Sequence, residues 1–165
     1  MSVHGLMRPF ASAIFAKAAA YRHLRSALAP PQEQQFLKSL RDDVRRASNL
    51  HPHDVTEAAA AEGLRRGIAD LSVKTRDDQP AFDPGRKAFI VEHMVPITAV
   101  VYDCLHCPDE ERVLNELTTR LRVVWLLRSN ARDLTLLGLR RKLPNPEEAY
   151  RRAGVRVLAK RRGDA

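Results

Sequence analysis

Apolar residues recur every three or four positions along the first third of the chain, the spacing that gives a helix one apolar face. The first such stretch covers about residues 9–28 and ends before Pro30. Its apolar positions are Phe10, Ile14, Ala18, Tyr21, Leu24 and Leu28. A second helix is predicted over 36–47. A third is predicted to start at Asp54, in a capping-box-like sequence, and to continue to Leu71.

The pattern changes after this helical part. Residues 72–87 are polar and contain two prolines, so a long loop is predicted there. Short runs of β-branched and aromatic residues at 88–91 and 122–127 predict two strands. Two helices that begin at prolines separate these strands along the chain. A further helix is predicted over 129–138, and Asn145 starts a last short one.

The expected fold class is therefore mainly α, with α+β character in the C-terminal half. A helical part (1–71) precedes the loop (72–87), and an interrupted β-β-α unit with inserted helices follows (88–138). A basic C-terminal segment (139–165) completes the chain, and one compact domain is expected for the whole.

Composition adds a charge asymmetry. The chain has 165 residues, 44% of them hydrophobic, and a formal net charge of +8. Residues 1–32 carry +4, residues 33–139 carry −2, and residues 140–165 carry +6. Basic ends on a nearly neutral body are typical of proteins that bind a polyanion such as DNA or RNA, although they also serve solubility.

Other features concern location. Two cysteines are too few for a disulfide framework, and this favours a reducing compartment. No apolar run approaches the ~20 residues of a membrane-spanning helix, so an integral membrane protein is excluded and a cytoplasmic location is expected. Residues 1–32 contain no acid, which fits either an organellar transit segment or an ordinary core helix.

One motif could carry chemistry. Glu92 and His93 close the first predicted strand, with Pro96 three residues later, and the second strand runs directly into a helix containing Asn130. Over residues 88–138 this arrangement resembles the HNH (His-Me finger) nuclease family. The alternative is purely structural: Glu92 and His93 end a strand, and Pro96 begins a helix.

The resemblance implies roles for individual residues. His93 would be the general base that deprotonates water, because imidazole titrates near neutrality. Glu92 and Asn130 would hold a divalent metal, Mg²⁺ or Mn²⁺, and Asp133 is a further candidate because it lies one helical turn after Asn130. A nuclease of this kind predicts that His93 lies within a few ångströms of Asn130.

Basic residues surround the predicted site helix. They are Arg128, Arg132, Arg140, Arg141 and Lys142. In a nuclease they would contact phosphates near the scissile bond. Otherwise they form a solvated face or a surface for RNA or an acidic protein.

Two weaker signals involve metal-binding residue types. Cys104 and Cys107 with His106 between them could contribute to a zinc site, but a structural site needs four ligands, and a buried thiol is the simpler interpretation of Cys104. His51 and His53 are expected to lie in a solvated turn.

The sequence thus favours a nucleic-acid-binding protein with an HNH-like, metal-dependent endonuclease site. Two alternatives remain open. One is a helical module that binds nucleic acid through its basic ends without cleaving it. The other is a protein-interaction or inhibitor module, which predicts an exposed apolar stripe on the first or second helix. The sequence does not distinguish DNA from RNA.

Overall fold

The computed structural model describes residues 3–50, 53–138 and 145–158. The helices in these ranges are α1 (Val3–Leu24), α2 (Pro30–Ser48), α3 (Glu57–Arg65), α4 (Gln79–Phe82), α5 (Ile97–His106), α6 (Glu110–Arg120), α7 (Arg128–Leu136) and α8 (Pro146–Arg152). The strands are β1 (Asp54–Thr56), β2 (Phe89–His93), β3 (Val123–Leu127) and β4 (Val157–Leu158).

The chain is mainly helical with one small sheet, so the predicted fold class is confirmed. The described residues fall into two compact units. The helical unit comprises residues 3–50 and 95–121, and the sheet unit comprises 53–94, 122–138 and 145–158. None of the helices in the described ranges combines the length and apolar character needed to cross a membrane.

In the helical unit, α1 packs against α2, α5 and α6. The periodic positions Ile14, Ala18 and Tyr21 are buried, as the spacing predicts. The core that they join is apolar and includes Leu40, Val44, Val100, Val113, Leu114 and Leu117. An amphipathic sequence therefore accounts for this unit, since each helix turns its apolar face inward.

The helix boundaries in this unit differ slightly from prediction. The chain leaves α-helical geometry at Leu24 and makes a 3₁₀ turn over Arg25–Ala27. Pro30 stands at the start of α2, where its missing N–H costs no hydrogen bond. Asp109 caps α6 by accepting a hydrogen bond from the Arg112 N–H at 2.8 Å.

The sheet unit is built around β3. The strand order is β2-β3-β1-β4; β3 pairs antiparallel with β2 and parallel with β1, and β4 pairs antiparallel with β1. One face of the sheet packs in a cluster with α3, which includes Val55, Ala59, Phe89 and Trp125. The other face packs in a cluster with α7 and α8, which includes Val124, Leu126, Ala131, Leu134 and Tyr150.

The prediction that Asp54 caps a helix was wrong. Asp54 is the first residue of β1, and Thr56 caps α3 by accepting from the Ala59 N–H at 3.3 Å. Three residues are too few to show strand alternation, so pairing with β3 and β4 decides the conformation. The predicted third helix also ends early, at Arg65.

The predicted loop at 72–87 contains short helical turns held by Asp83. This carboxylate is 1% exposed, and its oxygens accept hydrogen bonds from a backbone run and one amide. The donors are the N–H groups of Lys87, Ala88 and Phe89 and Nε2 of Gln79. Burial alone would raise the pKa of Asp83, but these hydrogen bonds lower it. A buried anion thus fixes the chain just before β2.

The C-terminal part follows the prediction more closely. Asn145 caps α8 by accepting from the Glu147 N–H at 3.0 Å. Gly138 and Gly154 follow α7 and α8 with φ of +66° and +69°, a conformation that favours glycine. The strand β4, which lies in the segment expected to be only a basic tail, was not predicted.

Candidate functional site

The acid–His pair lies at the end of β2. Glu92 is opposite Val124 and His93 is opposite Val123, the first residue of β3. The next residue continues the ladder, since the Met94 N–H donates to the Arg122 carbonyl oxygen at 2.9 Å. Both side chains are half-buried. The pair therefore stands at the end of an antiparallel strand pair, with backbone hydrogen bonds continuing past it.

Glu92 and His93 point to opposite faces of the sheet, because side chains alternate along a strand. Glu92 lies two residues from Ile90 and so shares its face of the strand, and Ile90 packs in the cluster of α7 and α8. His93 lies four residues from Phe89 and so shares its face of the strand, and Phe89 packs in the cluster that contains Trp125. Of the two residues, Glu92 therefore lies on the side of the sheet that carries α7.

The helix α7 begins at the other end of the strand pair. It follows Leu127, which is opposite Phe89. Arg128 is fixed there by two hydrogen bonds, from its N–H to the Ala88 carbonyl oxygen at 2.9 Å and from its Nε to the Arg86 carbonyl oxygen at 2.5 Å. Part of the Arg128 guanidinium thus holds the helix in place.

Asn130 has one unusual feature. Its Oδ1 is buried and has no hydrogen-bond partner among the described residues. A buried amide oxygen without a donor is costly, and such groups in native proteins call for an explanation such as a bound ion or water. Arg132 and Asp133 lie beyond it on α7, and both are exposed.

The structure brings some of the predicted residues to one side of the sheet and separates others. Glu92 and α7 share a side. Four residue steps, or about 13 Å of strand, separate His93 from the Phe89–Leu127 pair after which α7 starts. The register therefore gives no support to a direct contact between His93 and Asn130. The basic residues Arg140, Arg141 and Lys142 lie outside the described residues.

The two candidate ligands on this side are both oxygen donors, and the register sets Glu92 three residue steps, about 10 Å of strand, from the Phe89–Leu127 pair after which α7 starts. A carboxylate (Glu92) and an amide oxygen (Asn130) are the oxygen ligands that Mg²⁺ and Mn²⁺ prefer, and the buried Oδ1 lacks a donor. Groups of three or more His, Cys, Asp or Glu side chains placed to hold a metal are not found among the described residues. A cation here would therefore depend on few protein ligands and on water.

A buried ion pair ties the same end of the sheet together. Arg122, just before β3, donates to Asp54 Oδ2 through Nε at 2.9 Å and through Nη2 at 2.7 Å, and also bonds Glu147 of α8. Burial alone would lower the pKa of Arg122, but its hydrogen bonds to Glu147 and Asp54 raise it, so the guanidinium stays charged. Because the Arg122 carbonyl accepts from Met94, this network fixes the backbone beside His93.

Sequence reasoning missed this network. Arg122 lies 68 positions from Asp54 and 25 positions from Glu147 along the chain, so no local pattern connects these residues. One local signal points towards it, the acidic residue Asp54 at the head of the predicted third helix, but at that position the sequence pattern favours helix capping.

His53 also differs from expectation. It is 1% exposed rather than solvated, and its ring lies 6.0 Å from that of Trp125. Its N–H donates to the Ser72 carbonyl oxygen at 3.0 Å. It immediately precedes β1, whose first residue, Asp54, pairs with Val124. The other histidine of this segment, His51, lies outside the described residues.

The Cys-x-x-Cys segment is a pair of buried free thiols. Burial raises the pKa of Cys104 to about 12 and also raises the pKa of Cys107. The Cys107 thiol donates to the Asp103 carbonyl oxygen at 3.4 Å, and the exposed His106 ring stacks on Tyr102. The buried thiol expected at Cys104 is confirmed.

Comparison of the chain with protein-family models, with curated proteins and with solved structures gives no significant match.

Proposed function

We propose that this protein is a nucleic-acid-binding phosphodiesterase with an HNH-like, metal-dependent endonuclease site at the end of β2. One observation carries the proposal: Glu92 and His93 end a strand that pairs antiparallel with β3, and β3 leads directly into α7. The interrupted β-β-α order was expected from the sequence. The buried Oδ1 of Asn130 supports a ligand on the α7 side.

The resemblance assigns separate tasks to these residues, and cleavage requires that the side chain of His93 reach the same phosphate as the cation around the end of β2. His93 accepts a proton from the attacking water, a task suited to a half-exposed imidazole at a strand end. Glu92 and Asn130 would hold a divalent cation, which would supply positive charge against the negative charge that develops on the phosphate. The exposed Arg132 contacts substrate phosphates outside the scissile bond.

Plasmid nicking and cleavage of a structured RNA, each in Mg²⁺, Mn²⁺ or EDTA, test this proposal. We expect metal-dependent cleavage that falls by about 10²–10⁴-fold in His93→Ala, the range for loss of a general base. The matched control is His23→Ala, which removes an exposed histidine from α1 in the helical unit. Equal loss of activity in both variants would contradict the role of His93.

Two further variants examine the α7 side. Asn130→Ala and Asp133→Ala each remove one candidate oxygen ligand. We expect Asn130→Ala to raise the metal concentration needed for half-maximal cleavage, and Asp133→Ala to have the smaller effect because its side chain is exposed. Unchanged metal dependence in both variants would remove α7 from the proposed site.

Binding without hydrolysis is the second candidate. If nucleic acid is bound in a salt-dependent manner but neither substrate is cleaved in any metal, the protein is a binding module. The protein-interaction alternative has less support. The exposed large apolar side chains described on α1 and α2 are Leu6 and Leu24, which lie at opposite ends of α1 and form no stripe.

A further inference from the structure

The outer surface of the helical unit contains a polar groove along α2. The groove has a volume of about 620 Å³ and is lined by one residue of α1 and the exposed side of α2, from Pro31 to Arg46. Its lining is rich in charged and amide side chains. It is formed within this one unit and lies on different elements from Glu92 and His93.

The acids in the groove are already neutralised. Lys17 bonds Asp43 at 2.5 Å, and Arg45 bonds Asp42 at 2.7 Å. Three basic residues of the lining form no ion pair with any described residue. They are Lys38, Arg41 and Arg46. The residues that line the groove therefore carry a net charge of +2, and Arg45 beside them pairs with Asp42.

These three residues lie along one side of the helix. They occur at positions i, i+3 and i+8, which span about 140° around the helix axis at 3.6 residues per turn. Eight residues of helix rise about 12 Å. Phosphates of one DNA strand are spaced about 3.4 Å along the axis, so this length covers three or four of them.

Neutral donors accompany the charges. The amides of Gln34 and Gln35 line the groove and are exposed. Amide and guanidinium N–H groups both donate to phosphate oxygens. The combination favours a ligand that presents repeated anionic oxygens along a line.

We propose that this face of α2, defined by Lys38, Arg41 and Arg46, binds the phosphate backbone of nucleic acid. The inference rests on the proposed function for the identity of the ligand, and it places backbone binding on a surface separate from cleavage chemistry. An acidic protein is the competing partner, and the experiment below distinguishes the two.

The test compares two triple variants of the full chain. Lys38→Gln with Arg41→Gln and Arg46→Gln removes the proposed contacts. Arg8→Gln with Arg65→Gln and Arg151→Gln makes the same charge change at arginines that are ion-paired in the structure. Binding of labelled duplex DNA and of single-stranded RNA is measured by fluorescence anisotropy in EDTA, between 50 and 200 mM salt.

We expect the α2 variant to bind at least about tenfold more weakly, with the slope of log K against log salt reduced by about 2–3. The control variant keeps both the affinity and the salt slope. Because binding is measured in EDTA, separately from the cleavage assays, failure of binding and failure of cleavage are separable. Circular dichroism verifies folding, and the three single substitutions replace the triple variant if it does not fold. Equal binding by both triple variants overturns the inference, as does binding of polyglutamate in place of nucleic acid.

Discussion

The helical unit and the sheet unit bury different kinds of side chain. Apart from Ser48, the interior of the helical unit is apolar, and some of its charged groups form pairs at the surface, such as Lys17 with Asp43. The sheet unit buries polar groups instead. They are His53, Asp54, Thr56, Ser72, Gln79 and Asp83.

This difference reflects how each unit satisfies its backbone hydrogen bonds. Helices satisfy their own backbone hydrogen bonds, so apolar packing suffices to hold the helical unit. The short strands and turns of the sheet unit leave backbone groups to be satisfied, and the buried Asp83 carboxylate satisfies several of them. The proposed catalytic residues lie in the sheet unit, where buried charged side chains hold the backbone in place. The proposed binding face lies in the helical unit, where unpaired basic side chains are at the surface.

The largest expected effect concerns a thiol in the helical unit. Burial, with smaller contributions from nearby negative groups, raises the pKa of Cys104 from 9.0 to about 12, which lowers its thiolate fraction at neutral pH by about a thousandfold. In a Cys107→Ser variant, Cys104 should react with a disulfide reagent at least a hundredfold more slowly in the native protein than in guanidinium. Rapid labelling of native Cys104 would show that the apolar core of this unit is open.

The second effect concerns the buried pair of the sheet unit. Arg122→Met leaves the buried Asp54 carboxylate without its partner, and we expect a loss of roughly 3–5 kcal/mol in the free energy of unfolding. Urea denaturation measures this loss, and adding Asp54→Asn should restore much of it. The control Arg151→Met breaks an exposed pair and should cost about 0–1 kcal/mol. Similar costs for the two arginines would contradict the contrast between the units.

The third effect is smaller and depends on pH. Asp83→Asn removes a charged acceptor of several N–H groups and should cost about 2 kcal/mol near neutral pH. The folded pKa of Asp83 lies below its unfolded value of about 3.9, so the stabilisation is complete above that pH and is lost as the pH falls through the folded pKa. The difference between the variant and the natural protein should therefore shrink below about pH 4, whereas the exposed control Asp77→Asn should change stability by no more than about 0.5 kcal/mol near neutral pH.

The spacing of apolar residues predicted the helical unit well, because the periodic positions Ile14, Ala18 and Tyr21 form the face of α1 that is buried in the core. It also predicted β2, β3 and α7, with the acid–His pair at the end of the first strand. It failed at Asp54 and His53, where burial depends on strands distant along the chain. Tertiary pairing decides such short segments, and a two- or three-residue strand carries too few positions for any periodicity.

The segments of the two units alternate along the chain, and this has a practical consequence. The strands β2 and β3 pair across the segment that contributes α5 and α6 to the helical unit. A fragment beginning at residue 53 would carry these two helices without α1, which packs on both. Their apolar faces would then be open to water and to one another, so such a fragment is expected to aggregate during expression. Attempts to isolate the sheet unit should therefore replace residues 95–121 with a short flexible linker instead of simply trimming the N-terminus.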